Sequence, residues 1–270
     1  MTSGSLVWLG GGLGRLHAYA VTQAYKAEQR VFDWYSGAET MGVAETRVDA
    51  YNAGTENWPY LGCHWPALPF LLKELPHDGT FVDLGSGKGK ALLIAGMLPY
   101  RRVVGVEIDS ELSAVAQRNI ELFRHRQRAG VIESVDASVV DWKVPDDACV
   151  IFMHNAFFGE TFKNAMANVF ASYDRNPREM HVVYMFPWEH EWLLSTGRVT
   201  VENVRSEGWP KHLHWWDDEH VTVVYHLTGE GQSPAQCRAR YRRPSGAERR
   251  AMERWRNPSA HDFAVERKPL

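Results

Sequence analysis

An α/β fold, a largely parallel sheet covered by helices on both faces, is the architecture that three features of the sequence predict. From Thr80 onward, short runs rich in valine and isoleucine alternate with amphipathic stretches of helical length, the pattern of parallel strands joined by crossover helices. The first run passes directly into a glycine-rich turn and then a helix, Phe81-Val82-Asp83-Leu84-Gly85-Ser86-Gly87-Lys88-Gly89. Two late strand-like runs stand close together and predict an antiparallel hairpin at one sheet edge.

The elements follow in order. Up to about residue 60 the chain predicts helix and irregular structure: 16–35 carries apolar residues at helical spacing, and 54–66 is broken by glycine and proline. A helix is expected at 67–75, closed by Pro76. Buried strands are expected at 80–84, 102–108, 130–135, 148–154 and 180–186, with helices at 88–97, 110–127 and 160–172 between them. The hairpin strands fall at 199–205 and 220–227. Ser245 and Glu248 form a capping box for a helix to about residue 256. This divides the chain into a helical N-terminal extension and lid (1–75), a ligand-binding catalytic domain (76–232) and a basic C-terminal extension (233–270).

Composition narrows the class. The chain has 270 residues, 44 % hydrophobic and 23 % charged, as in an ordinary globular protein. A net charge of −3 argues against holding nucleic acid by global charge, so nucleic acid is not an expected partner. Cys63, Cys149 and Cys237 share no metal-ligand spacing and are expected as reduced thiols in the cytoplasm; no metal site is expected. The apolar run 6–13 is glycine-rich and too short to span a bilayer, so neither a targeting segment nor a membrane partner is expected.

The glycine turn is built to bring backbone close to a ligand at a helix N-terminus. It is not a Walker A loop, because Val82 and Leu84 stand where the first glycine would fall. It is not a dinucleotide fingerprint either, because Lys90 replaces the third glycine. Asp83 would repel a pyrophosphate but attracts the cationic amino-acid end of S-adenosylmethionine. Gly85, Ser86 and Gly87 form the turn itself. Twenty residues beyond Gly87, Glu107 ends the second strand, where its carboxylate can accept from both ribose hydroxyls. Asp136 and Ala137 end the third, where a carboxylate can accept from the adenine amino group. S-adenosyl-L-methionine is the expected cofactor and S-adenosyl-L-homocysteine its product.

The order of five strands plus a hairpin resembles the Rossmann-like, seven-stranded sheet of class I methyltransferases. A narrower resemblance rests on Asn155-Ala156-Phe157-Phe158-Gly159, which follows the fourth strand. With Asp83-Leu84-Gly85-Ser86-Gly87 it is similar to the non-SET histone lysine methyltransferases, the disruptor-of-telomeric-silencing family, over roughly residues 58 to 190. That family has an aromatic where Ala156 stands, and its upstream cofactor-loop motif is not matched here, Tyr60 being the one candidate for that role. The resemblance implies methyl transfer, with Asn155 the candidate catalytic residue and a cofactor contact. Phe157, Phe158 and Trp188 are candidates for an aromatic wall around an acceptor amine.

The acceptor is expected to be an amine on a protein or a small molecule. O- or C-methylation of a natural product, with His154 or His64 as base, and cofactor binding without turnover are the alternatives. In the segment 208–220 joining the hairpin strands, His212, His214, Asp217, Asp218 and His220 lack a compact metal-ligand motif; with Trp209, Trp215 and Trp216 the segment reads as an aromatic cover over substrate or as an ordinary decorated hairpin rather than as a metal site. Residues 238–268 hold ten basic and four acidic side chains. With the rest of the chain negative, this extension is expected to dock on its own catalytic domain or on a second copy, giving a homo-oligomer.

Overall fold

The computed structural model describes residues 23, 26–42, 56–57, 60–63, 65–66, 68–206 and 221–229. The capping box at Ser245 and Glu248, the His/Trp-rich segment, His64 and the basic extension lie outside the described residues.

Seven strands form one sheet: β1 (Thr80–Leu84), β2 (Arg102–Glu107), β3 (Val131–Asp136), β4 (Ala148–His154), β5 (His181–Met185), β6 (Val199–Ser206) and β7 (Val221–Leu227). Their order is β3-β2-β1-β4-β5-β7-β6, with β7 antiparallel to both neighbours. The hairpin is therefore present with its second strand inside, and β6 forms the edge. β1 and β5 are buried at every residue, because helices cover both faces and no strand face is left to be polar. Alternation still sorts the side chains. Val82, Leu84, Ile151 and Met153 point into one core layer, and Phe81, Val103, Val150 and Phe152 into the other.

The helices are α1 (26–36), α2 (Leu68–Leu72), α3 (Lys90–Gly96), α4 (Ser110–Phe123), α5 (Gly159–Arg175) and α6 (His190–Ser195). α4 begins where Asp109 accepts from the amides of Glu111 (2.9 Å) and Leu112 (3.1 Å), a side-chain cap. It buries Leu112, Ala116, Asn119, Ile120 and Phe123, the three-and-four spacing of one face. Its expected last turn is a separate 3-10 helix, Arg124–Arg126. α1 packs Phe32 into the same layer as Leu92 and Phe123. Among the described residues no helix is long and apolar enough to cross a membrane.

Candidate cofactor and acceptor site

β1 delivers Asp83 to the carboxyl edge of the sheet, and the chain turns through Gly85 (φ 84°), Gly87 (φ 52°) and Gly89 (φ 81°) into α3. These left-handed angles favour glycine, and space demands it as well. A Cβ on Gly85 would overlap Ala156, and one on Gly87 would overlap the Tyr60 ring. The turn is thus clamped between Tyr60 on one side and the chain after β4 on the other. Ala156, where the resemblance has an aromatic, is the small neighbour Gly85 requires.

A cavity opens on this turn, about 990 Å³ when the open space at its mouth is included. Asp83, Gly85, Ser86 and Gly87 line it from the turn, Glu107 and Ile108 from β2, and Ser138, Val139 and Val140 from beyond β3. His154, Ala156 and Phe157 follow from β4, with Thr161 from α5. Asn57, Tyr60, Leu61, Gly62 and Cys63 complete the wall from the N-terminal side.

Two carboxylates share the interior. Glu107 is spanned by amides: Gly87 N–H donates to one oxygen at 2.7 Å and Asp109 N–H to the other at 2.9 Å. Burial nevertheless raises its pKa, the amides opposing the shift. Asp83 is only 2 % exposed, and its Oδ1 has no hydrogen-bond partner. Burial, with Glu107 nearby, pushes its pKa well above the usual carboxylate range. Ser86 Oγ is likewise buried without a partner. An acid and a hydroxyl left unsatisfied in a cavity wall cost stability unless a ligand meets them. A cationic amino-acid end with ribose hydroxyls fits that demand, so these residues suit S-adenosylmethionine.

The surroundings rigidify the turn. Asn119, 1 % exposed, donates from Nδ2 to the carbonyls of Lys88 (2.9 Å) and Glu39 (3.0 Å) and accepts from Glu39 N–H at 2.8 Å. Tyr60 Oη donates to Thr40 carbonyl at 2.7 Å, and Lys88 Nζ to Met41 carbonyl at 2.9 Å. Lys90 is 2 % exposed. Its Nζ donates to Gln29 Oε1 at 2.7 Å, stands 4.0 Å from a Glu28 oxygen and lies over the Phe32 ring.

Of the expected site residues, Tyr60, Asp83, Gly85, Ser86, Gly87, Glu107 and Phe157 come together on this cavity. Five others are not part of its wall. Asp136 is exposed at the end of β3, and Ala137 donates its N–H to Glu107 carbonyl at 2.9 Å; Ser138 to Val140 take the wall position, one turn further on. Phe158 is the residue before α5, and Trp188 is held by a 2.7 Å bond from its N–H to Phe186 carbonyl. Asn155 lies between the wall residues His154 and Ala156, in a left-handed conformation (φ 43°), with its Oδ1 buried and without a partner. Asn57, Leu61 to Cys63, Lys90 and Thr161 also line the cavity, and no motif in the sequence marks them as site residues.

The strand order, the β1 glycine turn with its acid and the second acid ending β2 define a class I S-adenosylmethionine-dependent methyltransferase core. Within that class, residues 70–180, less than half of the chain, match the family described as Histone methylation protein DOT1. A release factor glutamine methyltransferase of Geobacter sulfurreducens is 41 % identical over 63 residues, 23 % of this chain. The match spans only 22 % of that relative's length. Among solved structures, the chain is similar to an RNA methyltransferase from Salinibacter ruber in complex with S-adenosyl-L-homocysteine. That pair shares 15 % identity over 64 % of this chain and 97 % of the other, with a TM-score of 0.45. It is also similar to Haemonchus contortus phosphoethanolamine N-methyltransferase 1, at 14 % identity over 79 % and 52 % of the two chains, with a TM-score of 0.46.

Proposed function

We propose that this chain transfers a methyl group from S-adenosylmethionine to the nitrogen of an amine, on a protein lysine or a small molecule. The observation that carries the choice of nitrogen is Asn155. Its amide oxygen is buried without a partner in a left-handed turn between two wall residues, so the site holds an acceptor waiting for a donor. An amine keeps an N–H throughout methyl transfer and gains positive charge as it reacts, and an amide oxygen suits both. A hydroxyl that loses its proton would instead face that oxygen as an anion, which is unfavourable.

When bound, the cofactor supplies an activated methyl on a sulfonium centre. The chain's own residues supply position: Asp83 and Glu107 fix one end, Phe157 offers an aromatic ring to a neutral acceptor amine as it gains positive charge, and Asn155 orients the nucleophile. Positioning of this kind is worth up to roughly 7–11 kcal/mol when the reacting atoms are held near attack. His154 on the wall favours a second reading, O-methylation with that imidazole as base, its Nδ1 bonded to Leu61 carbonyl at 3.1 Å.

The test is label transfer from methyl-tritiated cofactor into a cell extract, sorted into protein and small-molecule fractions and by stability of the product to alkali. Asn155→Ala should lower turnover on the order of 100-fold while calorimetric affinity for S-adenosylhomocysteine stays nearly unchanged. Equal loss of both would reduce Asn155 to a cofactor contact, and an alkali-labile product would replace nitrogen by a carboxyl oxygen.

A further inference from the structure

We infer that Glu56 is a positioning residue, which pins residues 56–57 against the chain before α5 and so helps to hold the wall residues Asn57 and 60–63 over the acceptor end of the cavity. The proposal rests on the methyltransferase reading for calling that end the acceptor's. Glu56 itself is not part of the cavity wall, yet it ties together two stretches that are. Its carboxylate accepts from the amides of Glu160 (3.0 Å) and Thr161 (2.5 Å), the first turn of the 17-residue α5. Its carbonyl accepts from Phe158 N–H at 2.9 Å, and the next residue, Asn57, forms a β-bridge with Phe157. Gly159 sits at φ 61° directly beneath, where a Cβ would strike the Glu56 carboxylate. The two amides hold that carboxyl below its ordinary pKa, so it is an anion at the positive end of a helix at neutral pH.

Residues 60–62 are anchored separately. Tyr60 lies against Gly87, Leu61 carbonyl accepts from His154, and Gly62 packs on Gln29. Residues 56–57 are thus fixed to α5 and the chain before it, and residues 60–62 to the glycine turn, α1 and the end of β4. Asn57, Leu61 and Cys63 line the cavity together with Phe157. Release of the Glu56 end frees Asn57 from Phe157 and unroofs the acceptor end, leaving Asp83 and Glu107 where they are.

Cys63 reports on these wall residues directly. It is 4 % exposed and on the cavity wall, whereas burial pushes the Cys149 thiol up to about 11 and keeps it unreactive. In the full chain carrying Cys237→Ser, iodoacetamide labelling of Cys63 is followed by mass spectrometry alongside amide exchange of 160 and 161. Glu56→Ala should speed Cys63 labelling about fivefold or more, as expected for the loss of one helix cap. Glu56→Gln, which keeps one acceptor oxygen, should fall between, and it carries the test alone if Glu56→Ala does not fold. Cys63 rates equal to wild type, with or without faster exchange at 160 and 161, would leave Glu56 no more than a cap on α5 and overturn the proposal. Saturating S-adenosylhomocysteine should slow labelling in the wild type. Failure of that ligand to bind would defeat the methyltransferase reading, while the ligand-free comparison would still decide the role of Glu56.

Discussion

Asp83 and Glu107 were legible from the sequence because each is a carboxylate at a strand end beside a glycine turn, and the chemistry of the cofactor demands acids there. The structure adds a cost: in the cofactor-free protein both are buried and shifted toward the protonated form. Asp83→Asn should therefore raise the melting temperature of the cofactor-free protein at neutral pH, since it removes a buried ionisable acid beside Glu107. The same change should weaken cofactor binding by on the order of 1.5–3 kcal/mol, the value of a hydrogen bond to a charged group. Paired calorimetry and thermal melts check both halves, and a variant less stable and equally tight would contradict the assignment. Glu28, Asn119 and Glu56 were not legible. Their partners stand 37, 80 and 104 residues away, and no local pattern announces a hydrogen bond across such a distance.

Elements were easiest to read where the physics is local. β1 and β4 fall at the expected residues, because an apolar run buried on both faces ends where the turn chemistry begins. α6 went unread, since six residues give too few turns to show a period. The helix expected across 16–35 is described at 26–36, and its place in the molecule depends on Lys90. That ammonium, held below its ordinary pKa by burial, meets Gln29 and Glu28 from α1. Glu28 in turn accepts from Trp65 N–H at 3.1 Å, so α1, the wall segment and α3 converge on one buried polar cluster. Lys90→Met keeps the length of the side chain and deletes the bond. It should destabilise the protein by about 1–3 kcal/mol and raise amide exchange in 26–36 before that in β1 and β4. Uniform exchange across all three would show that α1 is held by Phe32 packing alone.

At the scale of the whole molecule, two buried sets of titrating groups work against each other. His181, at the amino end of β5 and so opposite the cofactor site, is held below the ordinary imidazole range by burial. Glu202, 2.9 Å away, pulls the other way; His226 and Glu179 are the remaining titratable groups acting on it. Its stabilising contribution is full above the unfolded value of about 6.5 and is lost as pH falls. Asp83 and Glu107 are shifted upward, so their contribution is full below about pH 4 and is lost as pH rises. Between roughly pH 4 and 6.5 the two slopes have opposite signs. Asp83→Asn thins one side of that balance. Its advantage over wild type should grow with pH, and its own stability should fall more steeply on acidification, as melts across that range would show. The position of β7 bears on how the molecule comes into being. β6 leaves the ribosome first but bonds to the sheet through β7 alone. Until residue 227 has been made, β5 presents an unpaired edge and β6 has nothing to join, so the nascent chain carries two open strands that invite association with other chains. Among the described strands, sheet closure waits on the last to be synthesised, and a message truncated before Val221 would yield a protein with its glycine turn in place and an adhesive flank.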